Sequence, residues 1–169
     1  MYAYMTNGTY TFLKKIKEKY QHNYEMIVMH NGEKAIAYYQ SEQASIFETS
    51  RDYEVIVEKG GLKEEGFIVL NHIPVTDEGK PLFETQFKER AEAIENTSGF
   101  YALRVLRPLR GNTYIVMVEW EDQASFQHWK NSDHFQKAHN KKEKPSYMAG
   151  PSYSESLQVG EEERMNKTV

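Results

Sequence analysis

Two adjacent glycines, Gly60 and Gly61, followed by Lys63, Glu64, Glu65 and Gly66, divide this chain more firmly than any other feature of its sequence. Glycine gives up the most backbone freedom when ordered, and a charged run has no apolar side to bury, so the stretch suits neither a helix nor a strand interior. It separates a small α/β unit, residues 1–63, from a second domain, residues 66–159. Residues 160–169, with Glu161, Glu162 and Glu163 and no apolar stripe, read as a frayed tail. At 169 residues the chain is long enough to bury a real core.

In the first unit, residues 2–5 suit a strand, and Phe12, Leu13, Ile16 and Tyr20 fall at helical spacing. Residues 24–30 and 35–39 read as two strands joined at Asn31-Gly32, a strong hairpin signal. Tyr53, Val55 and Val57 alternate as in a half-buried strand. None of these residues carries evident chemistry. In the second domain, residues 67–75 form a strand with Phe67, Val69, Asn71 and Ile73 on one face and Ile68, Leu70 and His72 on the other. Both faces are mostly apolar, so this strand should be covered on both sides. Pro81 suits a first helical turn, and Phe83, Phe87, Ala91 and Ile94 make one stripe. Residues 100–109 and 113–120 are two strands around Arg110-Gly111-Asn112, residues 122–130 and 132–140 are helices, and residues 152–159 alternate as a last strand. The order β-α-β-β-α-β is that of a ferredoxin-like plait, an α+β fold.

Composition narrows the function classes. A net charge of −4 argues against a general nucleic-acid binder. With no cysteine there is no disulfide framework and no thiol chemistry, which fits a reducing compartment. The N-terminus lacks a basic segment followed by an apolar one, and no apolar run is long enough to span a bilayer. The expectation is a cytoplasmic protein with no membrane partner.

Chemistry concentrates between Trp129 and His139. Ser132 is a good helix N-cap with Asp133 beside it at the positive end of the dipole. Phe135 and His139, four apart, then share a face with Ala138 beside them, so His139 points inward. Trp129 closes the preceding helix, three residues after Phe126 on one stripe. An inward histidine is by itself equally an ordinary core residue. His134 and His139 lie about 140° apart around a helix, so they cannot hold one ion from one face, and a zinc site is not expected. Asn71, an amide among apolar strand neighbours, requires a partner, since an unbonded buried amide costs about 1–3 kcal/mol. A nearby turn could supply one.

The string from Asp122 through Phe126, Trp129, Ser132, Phe135 and Ala138 to His139 resembles the second-helix signature of the antibiotic biosynthesis monooxygenase (ABM) superfamily. Within it, a Trp and a His ten positions apart resemble the Isd-type haem-degrading monooxygenases, whose site is completed by an Asn on the first strand of the domain. Here that residue is Asn71. The resemblance implies oxidative opening of haem to an open-chain tetrapyrrole with release of iron. Haem serves as substrate and cofactor, with O2 and electrons from an external reductase. It assigns His139 as axial ligand to the haem iron, Asn71 as a donor to bound oxygen, Trp129 as the residue that presses on the porphyrin, and Phe135 as part of the pocket. Imidazole and amide chemistry suit those roles. It also implies two plaits joined into a barrel. The N-terminal unit, though short for a full plait, would let one chain close its own barrel as an intramolecular pseudo-dimer, with a homodimer as the alternative.

Haem propionates call for positive charge. Lys130, Lys137, Lys141, Lys142 and Lys144 against Asp133 and Glu143 leave +3 locally, and Arg104 and Arg107 are further candidates. Two other functions fit the sequence. The chain also resembles the TRAP signal-transduction proteins, notably in Gly8, Phe12 and Leu13 and from Leu103 to Pro108, which points to a non-catalytic regulator. A cofactor-independent quinone-type monooxygenase of the same superfamily is the third.

Overall fold

The computed structural model describes residues 1–32, 34–132 and 146–160. Along the chain run β1 (Tyr2–Gly8), α1 (Tyr10–Lys19), β2 (Ile27–His30), β3 (Ala35–Ser41), β4 (Arg51–Gly60) and β5 (Gly66–Pro74). They are followed by α2 (Lys80–Ile94), β6 (Phe100–Pro108), β7 (Thr113–Trp120), α3 (Gln123–Lys130) and β8 (Tyr153–Val159). The eight strands close into one barrel in the order β1-β3-β2-β8-β5-β7-β6-β4, with every pairing antiparallel. The expected helix over residues 132–140, and with it Phe135 and His139, lies outside the described residues.

Half of the barrel, β8-β5-β7-β6, has the strand order of a ferredoxin-like plait. The other half, β4-β1-β3-β2, repeats that order. The N-terminal unit, expected to be short for a full plait, has all four strands and lacks the second helix. Its place in the sequence is taken by residues 42–50, where Ser41 Oγ accepts from Gln43 N (3.0 Å) and Ser45 Oγ from Phe47 N (3.1 Å). Such short-range bonds compete with helical ones. The first hairpin matches its sequence signal: Asn31 and Lys34 exchange bonds across a turn in which Gly32 takes φ +87°. β2 begins at Ile27, three residues later than the apolar pattern suggested.

Strand alternation sorts the side chains into three cores. Inside the barrel, Met5, Met29, Ile36, Tyr38, Ile68, Leu70, Leu106, Ile115, Met117 and Leu157 meet from both halves. Outside, α1 covers Tyr4, Val28, Ala37 and Tyr39, with Phe47 of the 42–50 loop filling in beside it. On the opposite outer face, α2 and α3 cover Val69, Ile73, Val105, Tyr114, Val118 and Trp120. β5, central between β7 and β8, is covered on both faces as its sequence predicted. α2 is tied down by Glu84, which receives a bidentate bond from Arg107 (2.6 and 3.0 Å) and the Tyr114 hydroxyl; these donors hold its carboxyl below the usual carboxylate range.

At one barrel end the Gly60–Gly66 connection folds back over the interior, where Leu62 packs against the inner core. Glu119, fully buried on the inward face of β7, accepts from Lys63 N at 2.6 Å, while its Oε2 has no partner among the described residues. Burial pushes its pKa up to about 7 from an ordinary 4.5. The Lys63 N–H, the Lys63 charge and Arg104 act against that rise, and Glu65 adds to it. Because the folded state holds this proton more tightly than the unfolded chain, the stability involved is complete below pH 4.5 and is lost as pH rises through 7. Glu119→Gln, which keeps the acceptor for Lys63, should therefore remove a fall on the order of 3 kcal/mol over that window, as measured by urea unfolding at a series of pH values. A variant whose pH dependence matches the wild type would contradict the assignment.

Candidate functional site

Asn71 sits at the middle of β5 on the outer face covered by α2 and α3, between Val69 and Ile73. It is half-buried, and its side-chain amide has no hydrogen-bond partner among the described residues. Its strand neighbours are Val116 on β7 and Ser154 on β8. Toward β7 the face is filled by buried side chains, Tyr114, Val116, Val118 and Trp120. Toward β8 it changes character, because Ser154 and Ser156, opposite Asn71 and Val69, are exposed. Asn71 thus stands at the border of a packed apolar layer and an open lane of hydroxyls. The sequence reading missed the two serines, although their period-two spacing with Tyr153, Glu155 and Leu157 inward was a usable signal.

α3 brings Trp129 to the same face. The helix starts at Asp122, whose Oδ1 accepts from both the backbone N–H and the hydroxyl of Ser125 (2.8 Å each), holding that carboxyl below its usual range. It sits close to the sheet because residue 99 is glycine: a Cβ there would lie 2.1 Å from Ser125 Oγ, and Gly99 has φ +81°. Phe126 and Trp129, three residues apart on one side of α3, then pack on the outer core, with the Trp129 ring centroid 5.6 Å from Trp120 and Phe126 5.8 Å from Phe67. Beyond Ser132 the chain is next described at Ser146, and there Tyr147 and Met148 belong to the same outer core, Met148 bridging to Val75 at the end of β5.

The arginines proposed for propionates are corrected by the structure. Arg104 points into the barrel, 4% exposed, bonded to Gln40, to the Lys59 and Leu103 carbonyls and to Glu58. Its even position on β6 puts it on the wrong side of the sheet. Arg107 is on the outer side but is held by Glu84 and Glu54. His72, expected to face away from Asn71, does so: it is buried at the far barrel end, 2.9 Å from Glu155 and stacked on Tyr153. Of the lysines, Lys130 is described, its ammonium 5.8 Å from the Phe126 ring centroid; Lys137, Lys141, Lys142 and Lys144 lie outside the described residues.

The matching outer face of the N-terminal half offers no comparable opening among the described residues. There Tyr4, Tyr39 and Phe47 pack ring on ring at 5.2–5.3 Å, and Tyr39 accepts from Ile46 N (2.8 Å). Among the described residues, one outer face is closed by aromatic side chains and the other ends in the exposed Ser154 and Ser156.

The model of the antibiotic biosynthesis monooxygenase family matches residues 66–141. The signal transduction protein TRAP of Staphylococcus aureus (strain bovine RF122 / ET3-1) is 30% identical over 149 residues, 88% of each chain. The chain belongs to the ABM superfamily, in the two-part form of the TRAP proteins. A haem-degrading monooxygenase of Listeria monocytogenes is 22% identical over 130 residues, 77% of each. Among solved structures, one described as a major regulator of staphylococcal pathogenesis superposes with a TM-score of 0.83 at 23% identity, covering 95% of this chain and all of the other. LmHde, the haem-degrading enzyme of Listeria monocytogenes, gives 0.74 at 20% identity over 94% and 99%. At such identities these superpositions establish the fold of this ABM protein.

Gly99→Ala should unseat α3. The added methyl meets Ser125 and a left-handed backbone together, so a loss of about 1–3 kcal/mol is expected. Denaturant unfolding followed by tryptophan emission measures it, since both tryptophans report on this face. An unchanged midpoint would show that α3 does not depend on the close approach.

Proposed function

We propose that this ABM protein degrades haem oxidatively to an open-chain tetrapyrrole with release of iron, using O2 and electrons from an external reductase. The observation that carries the proposal is the amide of Asn71, without a hydrogen-bond partner among the described residues, on the same outer face as Trp129 and beside the exposed Ser154 and Ser156. An apolar layer bordered by such an amide suits a flat, largely apolar macrocycle that must meet a directional donor. In the sealed N-terminal face the corresponding space is taken up by tyrosines and Phe47, so one chain would carry one site.

Haem, when bound, supplies the iron at which O2 is activated. Asn71 can donate its amide N–H to an oxygen atom held over the sheet, and its place on a central strand keeps that donor from moving away. Trp129 offers a broad, weakly polar surface and no useful pKa, so its part is shape: it presses on the macrocycle and biases where the ring is opened. The neighbouring Val69, Ile73 and Phe67 exclude water from the apolar side. His139 as iron ligand and Phe135 as a pocket wall follow from the sequence resemblance, as does the use of Lys137, Lys141, Lys142 and Lys144 for propionates. A monomer with one site is the form this reading implies, and the cytoplasm its setting. Among the described residues no helix is long and apolar enough to cross a membrane.

The second reading is a non-catalytic regulator, which the 30% identity to a TRAP protein over 88% of the chain favours. Haemin titration separates the two. The haem reading expects a stoichiometric Soret band that bleaches with iron release when a reductant is added in air. His139→Ala should weaken binding by at least about tenfold, the equivalent of roughly 1.4 kcal/mol. Asn71→Ala should keep the band yet slow bleaching by on the order of 10²-fold, as expected for loss of one placed donor. Absence of a stoichiometric complex, or a band indifferent to His139→Ala, would favour the regulator.

A further inference from the structure

We propose that Trp120 is a positioning residue for Trp129: the buried indole on the sheet fixes the plane of the half-exposed indole on the helix. Trp120 ends β7 on the outer face and is fully buried. Its cross-strand neighbours are aromatic on both sides, Phe67 on β5 and Phe100 on β6, and the Phe100 ring meets it edge-on at 6.0 Å and 84°. Two further close approaches hold its surroundings. Gly66, at φ +112°, lies where a Cβ would be 2.4 Å from the Trp120 carbonyl oxygen, and Gly99 lets α3 down onto the same corner.

Trp129 has a different situation. It is in the last turn of an eight-residue helix, half-exposed, with no fully buried residue on that helix to anchor it. A tryptophan there takes its rotamer and ring plane from the groups packed against it. Trp120 does so, with ring centroids 5.6 Å apart and planes at 35°, and Phe126 adds a second contact at 6.4 Å. Offset aromatic pairs at such distances prefer a defined mutual orientation, so the strand-borne ring transmits its own fixed attitude to the helix-borne one. Neither the motif that singles out Asn71, Trp129 and His139 nor the apolar alternation of β7 assigns Trp120 this part. The consequence for chemistry rests on the haem-degrading reading: a Trp129 of fixed plane presses on one part of the macrocycle, and a loosened one spreads the site of ring opening. The indole geometry itself does not depend on that reading.

The chain has two tryptophans, so their optical signals are uncrowded. In the protein without haem, the pair should give a far-ultraviolet exciton couplet that both Trp120→Phe and Trp129→Phe abolish. The single emitting Trp129 in Trp120→Phe should also show lower fluorescence anisotropy than the single Trp120 of Trp129→Phe. With haemin bound, Trp120→Phe should retain its affinity while shifting the porphyrin out-of-plane Raman lines and the ratio of ring-opened isomers. A missing couplet in the wild type overturns the proposal, as do an immobile Trp129 and an unchanged isomer ratio in Trp120→Phe. Should Trp120→Phe fail to fold, Phe100→Leu loosens Trp120 from its other side and must give the same anisotropy loss. A wild type that forms no haemin complex counts against the haem reading alone, and the couplet and anisotropy still decide the positioning.

Discussion

Closure of the sheet governs what the rest of this protein can do. Two seams, β2 with β8 and β4 with β6, join two strand sets of identical order into a ring, so no strand is left with an open edge. Closure forces every second residue inward, and the interior of an eight-stranded barrel is filled by side chains or holds at most one small ligand. Tyr38, Met5, Met29, Leu70, Leu106 and Ile115 pack inside it, each almost wholly buried. A packed interior leaves the space between sheet and helices as the easier place for a sizeable ligand, and the polar groups inside serve structure. Arg104, Glu119 and Gln40 belong to that second class despite being the kind of residues that draw attention in a sequence.

The two outer faces show how a repeated architecture gives one site. Each half carries a helix after its first strand, and only the C-terminal half adds α3 after its third. Where α3 is missing, a loop supplies Phe47 and Ile46, and the tyrosines of β1 and β3 close over the sheet. Where α3 is present, Ser154 and Ser156 on the same face are exposed. Among the described residues the two faces thus differ in a single element and in the small residues on β8.

Much of this was legible in the sequence, and for identifiable reasons. The hairpin at Asn31-Gly32, the Pro81 helix start and the two-sided apolar pattern of β5 are local signals, decided within a few residues, and the structure follows them. The plait order of the four N-terminal strands was not legible, because its evidence is the order of strands in space, which no local pattern encodes. Parity along β5 put Asn71 and His72 on opposite faces correctly. The same count applied to β6 would have sent Arg104 inward; the charge was read without the count. Trp120 looked like the end of an alternating strand, and its meeting with Trp129 depends on how α3 is set down at Gly99, a long-range matter.

The central claim is that the outer face bearing Asn71 and Trp129 receives a porphyrin. Anomalous scattering from iron in crystals grown with haemin tests it most directly. The account predicts one iron peak per chain over the outer face of β5, with Asn71 on one side of the macrocycle and Trp129 beside it. An iron peak at a barrel end near His72, on the α1 face, or at no fixed place in a well-ordered crystal would contradict it.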